Sequence, residues 1–480
     1  MFHDRSRYQS TRGYQLAPLR FSRLDDARYV VTNDVGEYVV LPRHELFDFV
    51  RHALPPHREA YKTLKSKHLL FDEHSRVALE LLALKYRTRA EQLANFTGLH
   101  IFVVTLRCDH SCAYCQVSRQ AEGAREFDMS QEHADRALDF MFRSPSPTLK
   151  VEFQGGEPLL HFERIRYIVE RAKALNQVHR RDLQFVIASN LSRLTDEVLD
   201  FCREHGVLLS TSLDGPEYLH NTQRPVRGGD SHRRTLQAIH RARQALGPDS
   251  VSALMTTTQA SLTRVEDIID EYVRQGFHGI FLRNISPYGF AVRQRASRQY
   301  DVGAWVEFYR RGLAHILRIN EQGYPLQEEY TAILLQKLFS PRGSTYVDLQ
   351  SPAGIGIGAL VYNYDGAVYA SDEGRMLAEM GDFSFRLGHL SHDSYESIMT
   401  SDTLLAHLSD TMPEGVPMCG DCAFLPYCGA DPVFHQATMR DAVGHKAFSA
   451  FCQKQMSVLR HLIGLLEDDA RARDILMGWR

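Results

Sequence analysis

Ile101-Phe-Val-Val-Thr-Leu106 runs, after one arginine, into Cys108-Asp-His-Ser-Cys112-Ala-Tyr-Cys115. The first stretch is β-branched and aromatic and reads as a buried strand; the second is a C-x3-C-x2-C loop at its C-terminal end. Three thiolates on one loop can hold three irons of a four-iron cluster and leave the fourth iron open to an outside ligand. The competing reading is a zinc knot completed by His110, which lacks a second ligand dyad nearby.

Outward from this loop, five more strand-like runs follow: Leu149 to Phe153, Leu183 to Ala188, Val207 to Leu213, Val251 to Thr256 and Gly279 to Asn284. Helix-period segments fall around Ser130 to Phe142, Phe162 to Leu175, Thr195 to His205, His232 to Leu246 and Leu262 to Gln275. Strands alternating with helices predict an α/β fold with a parallel sheet, here a partial (β/α)6 barrel. Six units fall short of a complete eightfold barrel, and an open doubly wound sheet is the alternative. Active sites of barrels of this kind gather where the strands end, so the cysteine loop is well placed.

The chain has 480 residues, 44% hydrophobic and 24% charged, which fits a globular protein of about three domains. Its net charge of −3 excludes a chain whose main task is coating nucleic acid or an anionic membrane. No apolar run approaches the ~20 residues of a bilayer span, and Met1 to Gly13 is too charged for a signal peptide, so the cytoplasm is expected. Before the barrel, Arg28 to Thr32 and Glu37 to Leu41 form a hairpin around Asn33-Asp-Val-Gly36, with helical patterns over His44 to Ala53 and Arg58 to Leu70. After it come a helix around Tyr300 to Asn320, a glycine-rich hairpin turning at Asp365-Gly366, and a terminal helix around Lys454 to Leu466. The expected domains are 1–95, 96–320 and 321–480.

Cys419-Gly-Asp-Cys422-Ala-Phe-Leu-Pro-Tyr-Cys428, with Cys452 further on, forms a second group about 300 residues after the first. Four thiols suffice for one iron–sulfur cluster or one tetrahedral zinc. The eighth cysteine, Cys202, lies among Val198, Leu199 and Phe201 and reads as a buried thiol.

The first cysteine loop, with Tyr114 before its last thiol, resembles that of the radical S-adenosylmethionine (SAM) enzymes. Further segments match in order. Gln154-Gly155-Gly156-Glu157-Pro158 resembles the segment that receives the methionine amino group. Ser189-Asn190 and Ser212-Leu-Asp214-Gly-Pro216 resemble those facing ribose and carboxylate, with His220 and Arg224 continuing the fourth loop. The resemblance implies reductive cleavage of SAM to a 5′-deoxyadenosyl radical, which abstracts hydrogen from an unactivated carbon. It also implies a [4Fe-4S] cluster on Cys108, Cys112 and Cys115.

The second group resembles the SPASM extension of peptide-modifying radical enzymes, in which Cys419, Cys422, Cys428 and Cys452 would hold an auxiliary [4Fe-4S] cluster. That extension carries a further auxiliary cluster, and its private ligand positions fall here on Ser351, Ser371 and Pro432. Two clusters in total are therefore expected. Asp372 follows Ser371 at the place of the catalytic aspartate of sulfatase maturases, the candidate catalytic residue here.

The N-terminal pattern resembles the winged-helix-like module that pairs an edge strand with a leader peptide. In length and in phrases such as Thr32-Asn-Asp-Val-Gly-Glu-Tyr38 and Tyr369-Ala-Ser-Asp-Glu-Gly-Arg-Met376 nearly the whole chain resembles the maturases of the His-Xaa-Ser system. The implied partners are a precursor peptide with a leader and a reductant such as flavodoxin or ferredoxin, with neither nucleic acid nor membrane. The implied product is a side-chain crosslink. Sulfatase-maturase-like oxidation, epimerisation and thioether formation are alternative reactions, and a zinc-stabilised binding scaffold is the alternative class.

Overall fold

The computed structural model describes residues 13–75, 77–293, 300–344 and 346–480. All of the Met1 to Gly13 segment except Gly13 lies outside the described residues. The N-terminal strands are β1 (Tyr14–Leu16), β2 (Leu19–Arg23), β3 (Arg28–Asn33), β4 (Tyr38–Pro42) and β5 (Leu70–Asp72). β2, β3 and β4 form an antiparallel sheet in that order, so β4 is an outer strand, and β1 pairs with β5. The expected hairpin is β3–β4. β1, β2 and β5 go beyond the expectation, because short or half-polar runs such as Leu19-Arg-Phe-Ser-Arg23 carry little alternation. The two helices after β4 span Arg43–Val50 and Glu59–Ser66, and a further one, Ala78–Ala90, buries none of its residues.

The central strands are β6 (Leu99–Thr105), β7 (Thr148–Gly155), β8 (Asp182–Ala188), β9 (Val207–Ser212), β10 (Val251–Thr256), β11 (Gly279–Ile280), β12 (Leu282–Arg283), β13 (Gln327–Glu328), β14 (Ala359–Tyr362), β15 (Ala367–Tyr369) and β16 (Arg386–His389). The largest sheet has the order β12-β10-β9-β8-β7-β6-β14-β15-β16. Its pairs from β6 to β12 are parallel, as the βα alternation predicted. The sixth predicted run divides. β11 leaves the main sheet for β13, while β12 stays beside β10. Glu328 Oε1 accepts the Leu282 amide at 3.1 Å, so a side chain completes the pairing where the strand breaks.

The sheet also grows on its other side. β14 pairs in parallel with β6, and β15 and β16 follow antiparallel, so residues beyond 320 add three strands. Asp365 and Gly366 turn the β14–β15 hairpin, Gly366 with φ 89°. The barrel helices begin on the residues that predicted them: Ser130 and Thr195 hydroxyls accept from His133 N and Val198 N. Their apolar faces cover the sheet with buried residues such as Ile165, Ile168, Leu138 and Ile239, each worth about 1.5–3 kcal/mol on burial. Cys202 is among them, 1% exposed, as expected of a structural thiol. The terminal helix, Ala450–Asp468, is followed by one more, Ala470–Met477. No helix among the described residues is long and apolar enough to cross a membrane.

Candidate active site

The loop after β6 is shaped by its own charges before any cofactor is considered. Arg107 donates from Nε and Nη2 to both Asp128 carboxylate oxygens, at 2.7 and 2.9 Å. This anchors the chain just before Cys108. Further along, Ser111 N and Ala113 N donate to Pro225 O and Gln223 O, at 2.9 and 3.2 Å. The thiol loop thus leans on the segment after β9. Cys108, Cys112 and Cys115 all line one cavity of about 990 Å³.

His110 lines this cavity but has no ring nitrogen to spare. Nδ1 lies 2.9 Å from both Asp109 Oδ1 and Asn190 Nδ2, and Nε2 lies 3.1 Å from Ser231 Oγ. A zinc knot completed by His110 would require the ring to give up one of these partners. Three thiols without a fourth donor suit a cluster that keeps one iron open.

The glycines after β7 are required by the chain itself. A Cβ on Gly155 would lie 1.9 Å from Thr105 O, and one on Gly156 2.3 Å from Arg107 O. Gly155 also has φ 146°. Both line the cavity, so their backbone is open to a ligand on the other side. Glu157, by contrast, is fully buried behind the wall. Its Oε1 accepts from Ser189 Oγ at 2.7 Å and Leu159 N at 3.0 Å, and its Oε2 from Asn190 N at 2.8 Å. Burial pushes this carboxyl up to about 7 against the pull of those hydrogen bonds. It positions the Ser189-Asn190 turn.

Asn190 carries that positioning on to the cysteines. Its Nδ2 donates to Asp109 Oδ1 at 2.9 Å and lies 4.0 Å from Cys108 Sγ. Burial would raise the Asp109 carboxyl, but hydrogen bonds from His110, Ser192 and Asn190 hold it below its ordinary value. On the opposite wall Tyr114 Oη donates to Asp214 Oδ2 at 2.6 Å and accepts from Arg224 Nη1 at 2.7 Å. Asp214 is fully buried, and burial raises its carboxyl. His220 is also buried, with Nδ1 accepting the Asp214 amide at 3.3 Å. Ser189, Asn190, Ser212, Tyr114 and Arg224 line the cavity; Glu157, Asp214 and His220 stand behind it.

Asp372 lines the same cavity, in the first turn of the helix Asp372–Ala378, and its Oδ1 accepts from Arg375 Nε at 3.3 Å. The neighbouring Glu373 was not singled out by sequence reasoning. It too lines the cavity, and burial, with Asp348 and Asp372 beside it, raises its carboxyl. Its position in Ser371-Asp-Glu373 was the available signal. The three positions standing where further cluster ligands would be have other tasks. Ser371 caps that helix, its Oγ accepting from Gly374 N at 3.0 Å, and Ser351 lines the cavity. Pro432 opens the helix Pro432–Met439.

The second cysteine group is assembled at a distance. Cys419, Cys422 and Cys428 lie on a turn-rich segment and Cys452 in the first turn of the Ala450–Asp468 helix, its amide donating to Ser449 Oγ at 3.1 Å. The four thiols influence one another electrostatically, and burial pushes Cys419 up to about 11 and Cys428 up to about 12. None of them lines the large cavity. The N-terminal module closes over this segment. Arg20 Nε donates to Gly420 O at 2.6 Å, Thr32 Oγ1 to Ala423 O at 2.9 Å and Tyr427 Oη to Gly36 O at 2.7 Å.

Residues 102–281, which hold the thiol loop and most of the parallel strands, match the Radical SAM superfamily model. An uncharacterised protein of Methanocaldococcus jannaschii is 25% identical over 188 residues, which cover 39% of this chain and 62% of that protein. The chain thus spans less than two thirds of that relative's length. In fold, the chain is similar to native anSMEcpe with bound AdoMet, with TM-score 0.64 and 16% identity over 80% of this chain and 99% of the other. It is also similar to Streptococcus suis SuiB bound to precursor peptide SuiA, with TM-score 0.54 and 12% identity over 92% of this chain and 100% of SuiB.

Proposed function

We propose that the protein is a radical SAM enzyme that modifies a ribosomally made peptide by hydrogen-atom abstraction, forming a side-chain crosslink, and that the peptide is of the His-Xaa-Ser type. The observation that carries the reading is the cavity. One space of about 990 Å³ is lined by the three thiols, by Gly155 and Gly156, and by Ser189, Asn190, Ser212 and Arg224. That volume lies at the upper end for ligand sites, which leaves room for substrate beside a nucleoside cofactor.

Cys108, Cys112 and Cys115 would hold the SAM-binding [4Fe-4S] cluster, and Cys419, Cys422, Cys428 and Cys452 an auxiliary one. The cluster and SAM would together supply the radical chemistry that abstracts hydrogen, with the electron coming from a reductant such as flavodoxin or ferredoxin. The chain's own residues do the rest. Gly155 and Gly156 would offer backbone to the amino group of SAM, Ser189 and Asn190 would face its ribose, and Ser212 and Arg224 its carboxylate. Asp214 fixes Tyr114, and Asp372 accepts a proton from the substrate. Residues 1–95 bind the leader, with β4 as the strand that receives it. An outer position for β4 and the likeness to SuiB, itself seen with a precursor peptide, support this module's role.

Anaerobic co-expression with the precursor peptide, followed by mass spectrometry, tests the proposal. A peptide two hydrogens lighter, together with 5′-deoxyadenosine from the purified enzyme, is expected. An unmodified peptide and a colourless, zinc-loaded protein would replace the proposal with a binding scaffold.

A further inference from the structure

A second chamber, of about 230 Å³, adjoins the main cavity and shares Phe281, Arg283, Tyr346, Asp348 and Glu373 with it. Its other lining residues include Trp305, Asp431, Lys454 and Gln455. Trp305 is 2% exposed and Gln455 1% exposed, yet Trp305 Nε1 and Gln455 Nε2 have no acceptor. Gln455 is oriented by Tyr330, whose Oη donates to Gln455 Oε1 at 2.5 Å. The Lys454 ammonium sits among the rings of Trp305, Tyr330 and Phe451, at 5.3 to 5.7 Å. It has three N–H bonds, and one is taken by Asn284 Oδ1 at 3.1 Å. Buried donors are ordinarily paired, so this surplus marks a place for an acceptor.

The charges narrow the acceptor's class. Lys454 and Asp431 offset each other in this chamber, and Asp431 Oδ1 is occupied by Phe434 N at 3.0 Å. A carboxylate ligand would add a buried charge beside Asp431, Asp348 and Glu373, and a cation would meet Lys454 and Arg283. A neutral amide does neither. Its oxygen can accept from Trp305 and Gln455, its N–H can donate to Asp431, and its plane suits walls of Trp305, Tyr330 and Tyr346. We infer that this chamber is a subsite for a neutral amide of the substrate peptide, either an Asn or Gln side chain or one main-chain amide. The inference rests on the peptide-modifying reading, and it places the recognised amide next to the residue held in the main cavity.

The two tryptophans of the chain, Trp305 and Trp479, provide the test. In anaerobically reconstituted protein carrying ¹⁵N-tryptophan, the two indole N–H signals are followed during titration with propionamide, N-methylacetamide or propionate. A saturable shift of the Trp305 signal with an amide, with Trp479 unmoved, is expected. Tighter binding of propionamide assigns a side-chain carboxamide, and tighter binding of N-methylacetamide a main-chain amide. Gln455→Glu should weaken the amide about tenfold, the size of one lost hydrogen bond. No shift with either amide, a shift with propionate alone, or undiminished binding in Gln455→Glu would overturn the inference. The readout needs neither SAM cleavage nor peptide turnover, so its failure is distinct from failure of the proposed reaction.

Discussion

Cys108, Cys112 and Cys115 share one loop at the mouth of the barrel and face a cavity, whereas Cys419, Cys422 and Cys428 need Cys452 from a separate helix and lie on a segment hydrogen-bonded to the N-terminal module. The first group is supported from behind by a chain of side chains, from Glu157 through Ser189 and Asn190 to Asp109. Its thiols are held in place while one side stays open. The second group's segment is tied to the N-terminal module by hydrogen bonds at Gly36, Gly420 and Ala423, while its four thiols stay part-exposed like those of the first. Only the first group opens onto a cavity with room for an outside ligand, so the two groups differ in access and not in burial.

The comparison breaks most sharply at Cys115. Cys115→Ala should reduce 5′-deoxyadenosine to background while the protein retains about four of about eight irons. Chromatography of the product and an iron assay check both halves. Undiminished cleavage would remove the distinction between the groups.

The next effect is expected at Tyr114, whose hydroxyl lies between Asp214 and Arg224. Tyr114→Phe leaves two buried groups short of a partner, at about 1–3 kcal/mol, so SAM should bind roughly 5- to 150-fold more weakly. Equilibrium binding measures it, and unchanged affinity would disconnect that wall from the ligand. Deleting the N-terminal module is a less selective test than its separate fold suggests, because the same deletion uncovers the second cysteine group.

Gly156→Ala should lower stability by about 0.5–3 kcal/mol, since its Cβ would meet Arg107 O at 2.3 Å. Thermal unfolding of the protein checks this against Gly464→Ala, where a Cβ meets nothing within 4 Å. The smallest effect concerns pH. Burial raises the folded Glu157 carboxyl to about 7, so between about pH 4.5 and pH 7 the unfolded chain gives up its proton first. Stability therefore falls as pH rises through that window, and Glu157→Gln should flatten the slope. Denaturant unfolding at several pH values reads it, and an unchanged slope would place the ionisation elsewhere.

Much of this was legible in the sequence because it is local. The C-x3-C-x2-C spacing, the strand before it and the Ser130 and Thr195 caps each depend on neighbours a few residues away. The parallel order of β6 to β10 followed from alternation alone. What was not legible depends on distant pairing. β14 joins β6 across more than 250 residues, and β11 leaves the sheet for β13, about 45 residues on, with the Glu328 side chain accepting from Leu282 where the two short strands part. In the site, Glu157 and Asp214 read as ligand contacts because they lie in the right loops. Only packing reveals that they stand behind the residues that face the cavity. The Trp305, Lys454 and Gln455 end of the second chamber had no motif, since its parts come from two helices about 150 residues apart.

The central claim is that the open thiol group binds SAM through its cluster. Electron paramagnetic resonance of the reduced, reconstituted protein, with and without SAM, tests it most directly. The account predicts that SAM alters the signal of one cluster, that Cys115→Ala abolishes this response, and that the signal of the second cluster is unaffected by either. A reduced spectrum that SAM leaves unchanged, in protein carrying its full complement of about eight irons, would contradict the account.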